Sequence, residues 1–220
     1  LRIVSGRLNS DGINSVNSRD VRVRRCFVRN LDDAIVVKAT SADQPAEDIL
    51  VEDCAVWSDW GFALGVTYET RAPIRNIAFR RCDLHFVRHW CLGIRVCDSA
   101  TVSVITFTDI AIDDPARVTP PPGSAFAALG AKPLLLNFCI VSDLWANDPE
   151  RGRIRNAFVD GVTLYSGQFY ASQLRGCDAE HDIQHVTLRN IHLHGQPAIT
   201  EAEEMRLTCN AFVGEVRVEG

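Results

Sequence analysis

The sequence predicts an all-β chain wound into a right-handed, single-stranded parallel β-helix. Three observations carry this expectation. Cys26, Cys54 and Cys82 stand 28 residues apart, twice over, and a fixed period of about 20 to 50 residues marks a repeat architecture. The segments around those cysteines alternate apolar and polar residues, as a strand with one buried face does. Each period also holds a second strand-like run, with no helical periodicity between the two.

In chain order, the first set of strand segments reads VRVRRCFV (21–28), ILVEDCAV (49–56) and IAFRRCDL (77–84). ITFTDIAI (105–112) follows, with Ile110 in the cysteine position. After an insertion come AFVDGVTL (157–164) and VTLRNIHL (186–193). The second set reads DGINSV (11–16), DAIVVK (33–38), WGFALGV (60–66), CLGIRVC (91–97) and LLLNFCI (134–140). Two or three short strands per period, stacked so that like residues form ladders, make a solenoid. A propeller blade needs about 40 residues, and a sandwich would not hold one register over four repeats. The stretch from about 114 to 153, with TPPPG and WANDPERGR, breaks the period and reads as one coil flanked by two protruding loops. Such loops border binding grooves or are plain insertions. Residues 201–218 read as a short helix or loop and a last strand that caps the solenoid. The whole, 1–220, reads as one domain.

Composition narrows the function. The 220 residues carry a net charge of -5, spread along the chain, which argues against non-specific nucleic-acid binding. No apolar run approaches the roughly 18 residues of a membrane span. The chain begins at Leu1 inside a strand-like run, which leaves room for N-terminal coils removed by processing or truncation. The eight cysteines form no CxxC and no zinc spacing. Their regular placement points to a buried ladder of free thiols, with disulfides the alternative.

Stacking brings acids together. Aligning the second strands on Gly12, Ala34, Gly61 and Gly93 sets Asp11 and Asp33 on adjacent coils, with Asp32 one residue earlier at the turn. Parity then points Ile13, Ile35, Val37, Phe62, Leu64, Ile94 and Val96 inward. It points Asn14, Lys38, Ala63, Arg95 and Cys97 outward, with Trp60 at the edge. Two carboxyl groups across a groove are what inverting glycoside hydrolysis needs, one as acid and one activating water. Crowding raises the pKa of at least one. Arg95 is suited to holding a carboxylate and Trp60 to stacking on a sugar. Asp also makes side-chain turns at solenoid bends, so a structural role stands beside the catalytic one.

NSDG (9–12) and LDDAIVVK (31–38) resemble the NTDG and DD motifs of glycoside hydrolase family 28, the polygalacturonases and rhamnogalacturonases of the pectin-lyase-like β-helix. LGIRV (92–96) resembles that family's R-I-K motif at Arg95. GVTYETRAPI (65–74) and SQLRGCDAEHDI (172–183) look like a divergent bacterial branch. The resemblance implies Asp32 as general acid, Asp11 and Asp33 as activators of water, no metal or other cofactor, and an extracellular or periplasmic place. DWGFALG (59–65) puts Trp60 where the family has His, and Cys97 stands where it has Lys. These departures weaken the case for a galacturonan and leave room for a neutral or differently charged glycan.

Further candidates for substrate contact are Glu69 with Arg71, just past the Trp60 strand, and His89, placed to replace the missing His. Arg175, Asp178, Glu180 and His181 form a dense cluster read as turn and surface, or as substrate or metal contacts. His85 is set to line a neighbouring coil, His192 and His194 to face outward, and Trp57 and Trp90 to pack. The expected function is an inverting, metal-free glycosidase acting on a pectin-type or related poly- or oligosaccharide as a monomer, with Arg95, Lys38 and Trp60 binding substrate and without nucleic-acid or membrane partners. The alternatives are a non-catalytic carbohydrate-binding or structural solenoid, and a polysaccharide lyase on the same fold.

Overall fold

The computed structural model describes residues 1–115 and 133–220; the TPPPG motif and most of the first expected loop lie outside them. The chain climbs in coils, each laying one segment on a large sheet and one on a smaller sheet. The first coil holds β1 (Arg2–Leu8) and β2 (Ile13–Val16), the second β3 (Arg22–Arg24), β4 (Phe27–Leu31) and β5 (Ile35–Ala39). The third holds β6 (Ala46–Glu52), β7 (Ala55–Ser58) and β8 (Phe62–Thr70). Then come β9 (Ile74–His85) with β10 (Trp90–Val96), β11 (Thr101–Asp113) with β12 (Leu134–Ile140), and β13 (Arg153–Leu164) with β14 (Ala171–Arg175). β15 (Ile183–Arg189), β16 (His192–Leu193), one 3-10 turn (Ala202–Met205), β17 (Leu207–Cys209) and β18 (Val216–Glu219) follow.

The large sheet runs β1-β4-β7-β9-β11-β13-β15-β18 and the smaller β17-β14-β12-β10-β8-β5-β2. Every pairing between these strands is parallel. The molecule is the right-handed parallel β-helix that the period predicts.

Register in the large sheet follows the sequence alignment. Ile49 pairs with Ile77, Ile77 with Ile105, Ile105 with Ala157 and Ala157 with Val186. The alignment therefore holds across the insertion. The segments are bent, however. Asp20, Asp48, Asn76, Val104, Asn156 and His185 have positive φ, and so do Arg25, Asp53, Arg81, Asp109, Gly161 and Asn190 five residues on. Each such residue turns the chain at a corner and adds one residue, polar in all but Val104 and Gly161. Strict alternation becomes apolar positions 1, 3, 6 and 8, as in Ile77, Phe79, Cys82 and Leu84, all buried.

These positions build the core ladders. Phe79 and Phe107 stack with ring centres 5.0 Å apart and planes 8° apart, a favourable offset aromatic pair. Cys54 and Cys82 are buried and Cys26 is half-buried nearer the end of the stack; all eight cysteines are free thiols. Each of the three donates to the carbonyl two residues back, Cys26 to Arg24 at 3.4 Å, Cys54 to Glu52 at 3.2 Å and Cys82 to Arg80 at 3.4 Å. A small apolar side chain with a weak donor suits this slot beside the corner.

Two expectations shift. In the smaller sheet Ile13 pairs with Ile35, but Ile35 pairs with Leu64 and Leu64 with Leu92. Ala34 is thus level with Ala63 and Cys91, two residues after Gly61 and two before Gly93. Gly61, at a φ of +75°, turns the chain just before β8, whose first residue Phe62 pairs with Trp90. Ala63 joins the core while Phe62 does not; Phe62 is buried against Trp90, ring centres 4.3 Å apart. At the C-terminal end, Glu204 Oε1 accepts the N–H groups of Thr200 and Glu201 at 3.0 and 3.1 Å. That capping box starts the short turn, and Arg206, at φ 52°, ends it. β17 and β18 then extend the two sheets, so residues 201–218 add a rung where a cap is expected.

Candidate active site

Asp11, Asp32 and Asp33 all sit where a large-sheet strand hands over to a small-sheet strand. Asp11 precedes β2, and the Asp32–Asp33 pair joins β4 to β5. Gly12 N–H donates to Asp33 O at 2.8 Å and Ile13 N–H to Ala34 O at 2.7 Å, which stacks the two turns. Asn30 locks them from inside. It is fully buried, and its amide nitrogen reaches the carbonyls of Ser10, Asp32 and Asp33 at 3.0, 2.9 and 2.7 Å. Sequence reasoning missed Asn30. The signal was a polar residue two positions from Val28, on the buried side of its strand.

The three carboxyl groups line one cavity of about 490 Å³ together with Asn9, Lys38, Trp60, Tyr68, Glu69 and Trp145. Its volume lies within the range of about 300–1,000 Å³ common for ligand sites. Lys38 is the hub. Its Nζ lies 3.4 Å from Asp11, 3.5 Å from Glu69 and 3.7 Å from Asp33. Burial opposes its charge, yet Asp33, Glu69 and Asp11 together hold its pKa above the usual lysine value.

The acids differ in their surroundings. Asp33 is 2% exposed. Its Oδ1 accepts Phe62 N–H at 3.0 Å and its Oδ2 accepts the Thr67 hydroxyl at 3.1 Å. Burial pushes its pKa up to about 6, against the opposing pull of the Phe62 hydrogen bond and Lys38. Asp32 is half-buried and accepts the Asp33 N–H at 2.9 Å. Burial and then the neighbouring Asp11 charge raise its pKa. Asp11 is more open and accepts the Asn14 amide at 2.6 Å. One groove therefore joins two carboxyl groups of raised pKa to a third that contacts a lysine, a set that acid–base chemistry on a glycosidic bond can use.

Gly61 makes the third coil fit. A Cβ there would lie 2.6 Å from both the Asp32 carbonyl carbon and the Asp33 nitrogen. Only glycine lets this coil back onto the acid pair at its positive φ.

Sequence reasoning also missed Tyr68 and Trp145. Tyr68 sits at a positive φ in the middle of β8, a bend that no local motif announces. Trp145 comes from the loop 141–152, whose protrusion the sequence signalled but whose landing point it did not. Asp98 fixes that loop. It is fully buried, its Oδ1 accepting the N–H groups of Asn147 and Asp148 at 2.5 and 2.8 Å and its Oδ2 that of Thr70 at 2.9 Å. Asp148 adds bonds to Arg71 at 3.0 Å and to the Ser99 hydroxyl at 2.6 Å. Trp145 is thus held at the groove with its side chain largely exposed.

Arg95 and His89 lie beside this cavity and do not line it. Arg95 lines the next depression, with Val141, Ser142 and Arg175. It is ion-paired with Asp143, and its guanidinium lies 5.3 Å from the Tyr68 ring centre. Ile94 pairs with Val66 and Val66 with Val37, so Arg95 stands level with Lys38 but two coils further along the stack. His89 is sandwiched between Trp90, at 3.5 Å, and Trp60, at 4.6 Å. Burial, then Arg95 and Arg88, push its pKa down to about 4. Its ring is therefore neutral near pH 7, and a wall of stacked rings occupies the place where a proton carrier was expected.

The remaining candidates fall elsewhere. Asp178 accepts the N–H groups of Glu180 and His181, both at 2.9 Å, which makes that cluster a turn. His192 meets the Gln196 carbonyl at 3.2 Å. Trp57 packs on Phe86 with ring centres 4.5 Å apart and carries Arg29 over its face. Among the described residues no group of three or more His, Cys, Asp or Glu side chains is arranged to hold a metal ion.

No protein-family model matches the sequence, and no curated protein matches it significantly. A comparison of structures finds a hyperthermoactive exopolygalacturonase from Thermotoga maritima, with a TM-score of 0.64 and 18% sequence identity. The match covers 100% of this chain and 46% of that one, so this chain spans about half the length of its structural neighbour. At that identity the likeness shows the fold, a pectin-lyase-like β-helix.

Proposed function

We propose that the protein is a glycoside hydrolase that cleaves a poly- or oligosaccharide with inversion. The observation that carries this is the convergence of Asp11, Asp32 and Asp33, from two adjacent coils, on one external cavity with aromatic walls. Asp32, whose pKa burial and the Asp11 charge raise, gives a proton to the glycosidic oxygen as the C1–O bond breaks. Asp11, 3.4 Å from Lys38 Nζ, takes a proton from the water that attacks C1 from the opposite face. The products are a leaving-group alcohol and a hemiacetal of inverted configuration, and proton exchange with solvent resets the pair. Asp33 joins them through Lys38, and its two bonded oxygens make it a positioning acid more than a base. The exopolygalacturonase of the same fold supports the reading at the level of class.

The test is reducing-sugar release from a glycan panel by wild type and Asp32→Asn, side by side. Loss of a general acid lowers the rate by about 10²–10⁴-fold, so release by wild type should fall at least that far in a folded variant. Equal release by the two would remove Asp32 from the mechanism. A second reading, a carbohydrate-binding solenoid without catalysis, draws on the same Asp33 geometry. A motif carboxylate fully engaged by Phe62, Thr67 and Lys38 serves the turn whether or not a bond is cut. That reading expects sugar binding and no release.

A further inference from the structure

We propose that the sugar unit seated beside the acids is neutral, not a uronate; this rests on the cavity being a glycan site. Asp11, Asp32, Asp33 and Glu69 face a single ammonium, Lys38, among the described lining residues. Even with one acid protonated, three negative charges meet one positive charge. Lys38 is already shared by three of these carboxylates. An incoming carboxylate would enter a negative field in a partly desolvated site, where like charges repel strongly.

Among the described residues, three further arginines of the neighbouring coils are engaged elsewhere. Arg95 is ion-paired with Asp143, contacts Cys139 Sγ at 3.5 Å and lies against Tyr68. Arg71 holds Asp148. Arg88 is buried, its guanidinium 5.5 Å from the Trp60 ring centre, and is not part of the lining. The loop 141–152 makes both halves of this arrangement. Its Asp143 neutralises Arg95, and two residues on its Trp145 joins Trp60 and Tyr68 around the cavity. A charged handle is replaced by apolar rings, which suit the C–H face of a neutral sugar and give large contact area at low entropic cost.

The experiment uses matched tetrasaccharides: a galacturonan, a glucuronan and a mannuronan, each beside its carboxyl-reduced neutral twin. Calorimetry on Asp32→Asn, shown to be folded by circular dichroism, reads binding without turnover. This variant still leaves Asp11, Asp33 and Glu69 around Lys38. At least one neutral twin should bind about tenfold or more tighter than its acid, equivalent to about 1.4 kcal/mol. Binding of the acid should gain with added salt, as screening weakens repulsion. Uronates binding as tightly as their twins, or no binding in any pair, overturns the inference. Wild-type turnover separates it from the hydrolase reading. Cleavage of galacturonan with uronate preference keeps the hydrolase and sinks the neutral subsite. A bound but uncleaved neutral twin does the reverse.

Discussion

Asp33 shows how one side chain couples the site to stability. Its carboxyl group is held at about 6 against an ordinary 3.8. Between those values the folded state binds more protons than the unfolded one, so stability falls as pH rises from about 4 to about 6 and stays reduced above. The shift of about two units corresponds to roughly 3 kcal/mol. Asp33→Asn keeps an acceptor for Phe62 N–H and a donor for the Thr67 hydroxyl and lacks the titration. Melting curves from pH 4 to pH 8 should show the variant gaining on wild type through this window; parallel curves would mean that Asp33 ionises normally. Of the site residues, Asp11, Asp32, Asp33 and Lys38 were legible because each belongs to a short motif at a turn. Asn30, Tyr68 and Trp145 were not. Their roles come from which carbonyl, ring or cavity lies across from them, and nothing local encodes that.

At the scale of elements, the loop 141–152 and the corners carry separate consequences. Asp98→Ala strips the acceptor from three backbone N–H groups, those of Thr70, Asn147 and Asp148. Hydrogen bonds to a charged group contribute about 1.5–3 kcal/mol each. The variant should lose on the order of 3 kcal/mol in urea titrations and bind glycan more weakly, because Trp145 loses its mooring. Unchanged binding would place Trp145 outside the sugar site. The corner ladder makes the opposite prediction. Val104 occupies a left-handed position, φ 54°, which its neighbours fill with Asp, Asn or His. A β-branched residue is costly there, and Val104 is 41% exposed. Val104→Asn should stabilise by about 1 kcal/mol, a rise of about 2–4 °C in Tm for a chain of this size. No change, or a loss, would show that Val104 packs usefully at its corner. The strand segments were readable from their buried positions. The corners inside them were not, since an added polar residue at a bend looks like ordinary alternation slipping by one.

For the whole molecule, the 28-residue period by itself determined the architecture. Like residues had to stack to bury an apolar face that no single coil can bury alone. It also fixed the large-sheet register, insertion included, because a slip of one residue would turn a whole face out of the core. The motifs determined that acids from neighbouring coils meet outside. Tertiary structure decided the rest. Gly61 turns where the ladder alone would run straight, the smaller sheet departs from the aligned register by two, and Arg95, two coils from the Asp32–Asp33 pair, pairs with Asp143. Trp145 arrives from 112 positions beyond Asp33 to line the same cavity. Period and parity are carried by local chemistry and survive in one dimension. Register at a bend, and the choice of partner across a groove, depend on energies shared by residues far apart in the chain, and only the folded coil brings those together.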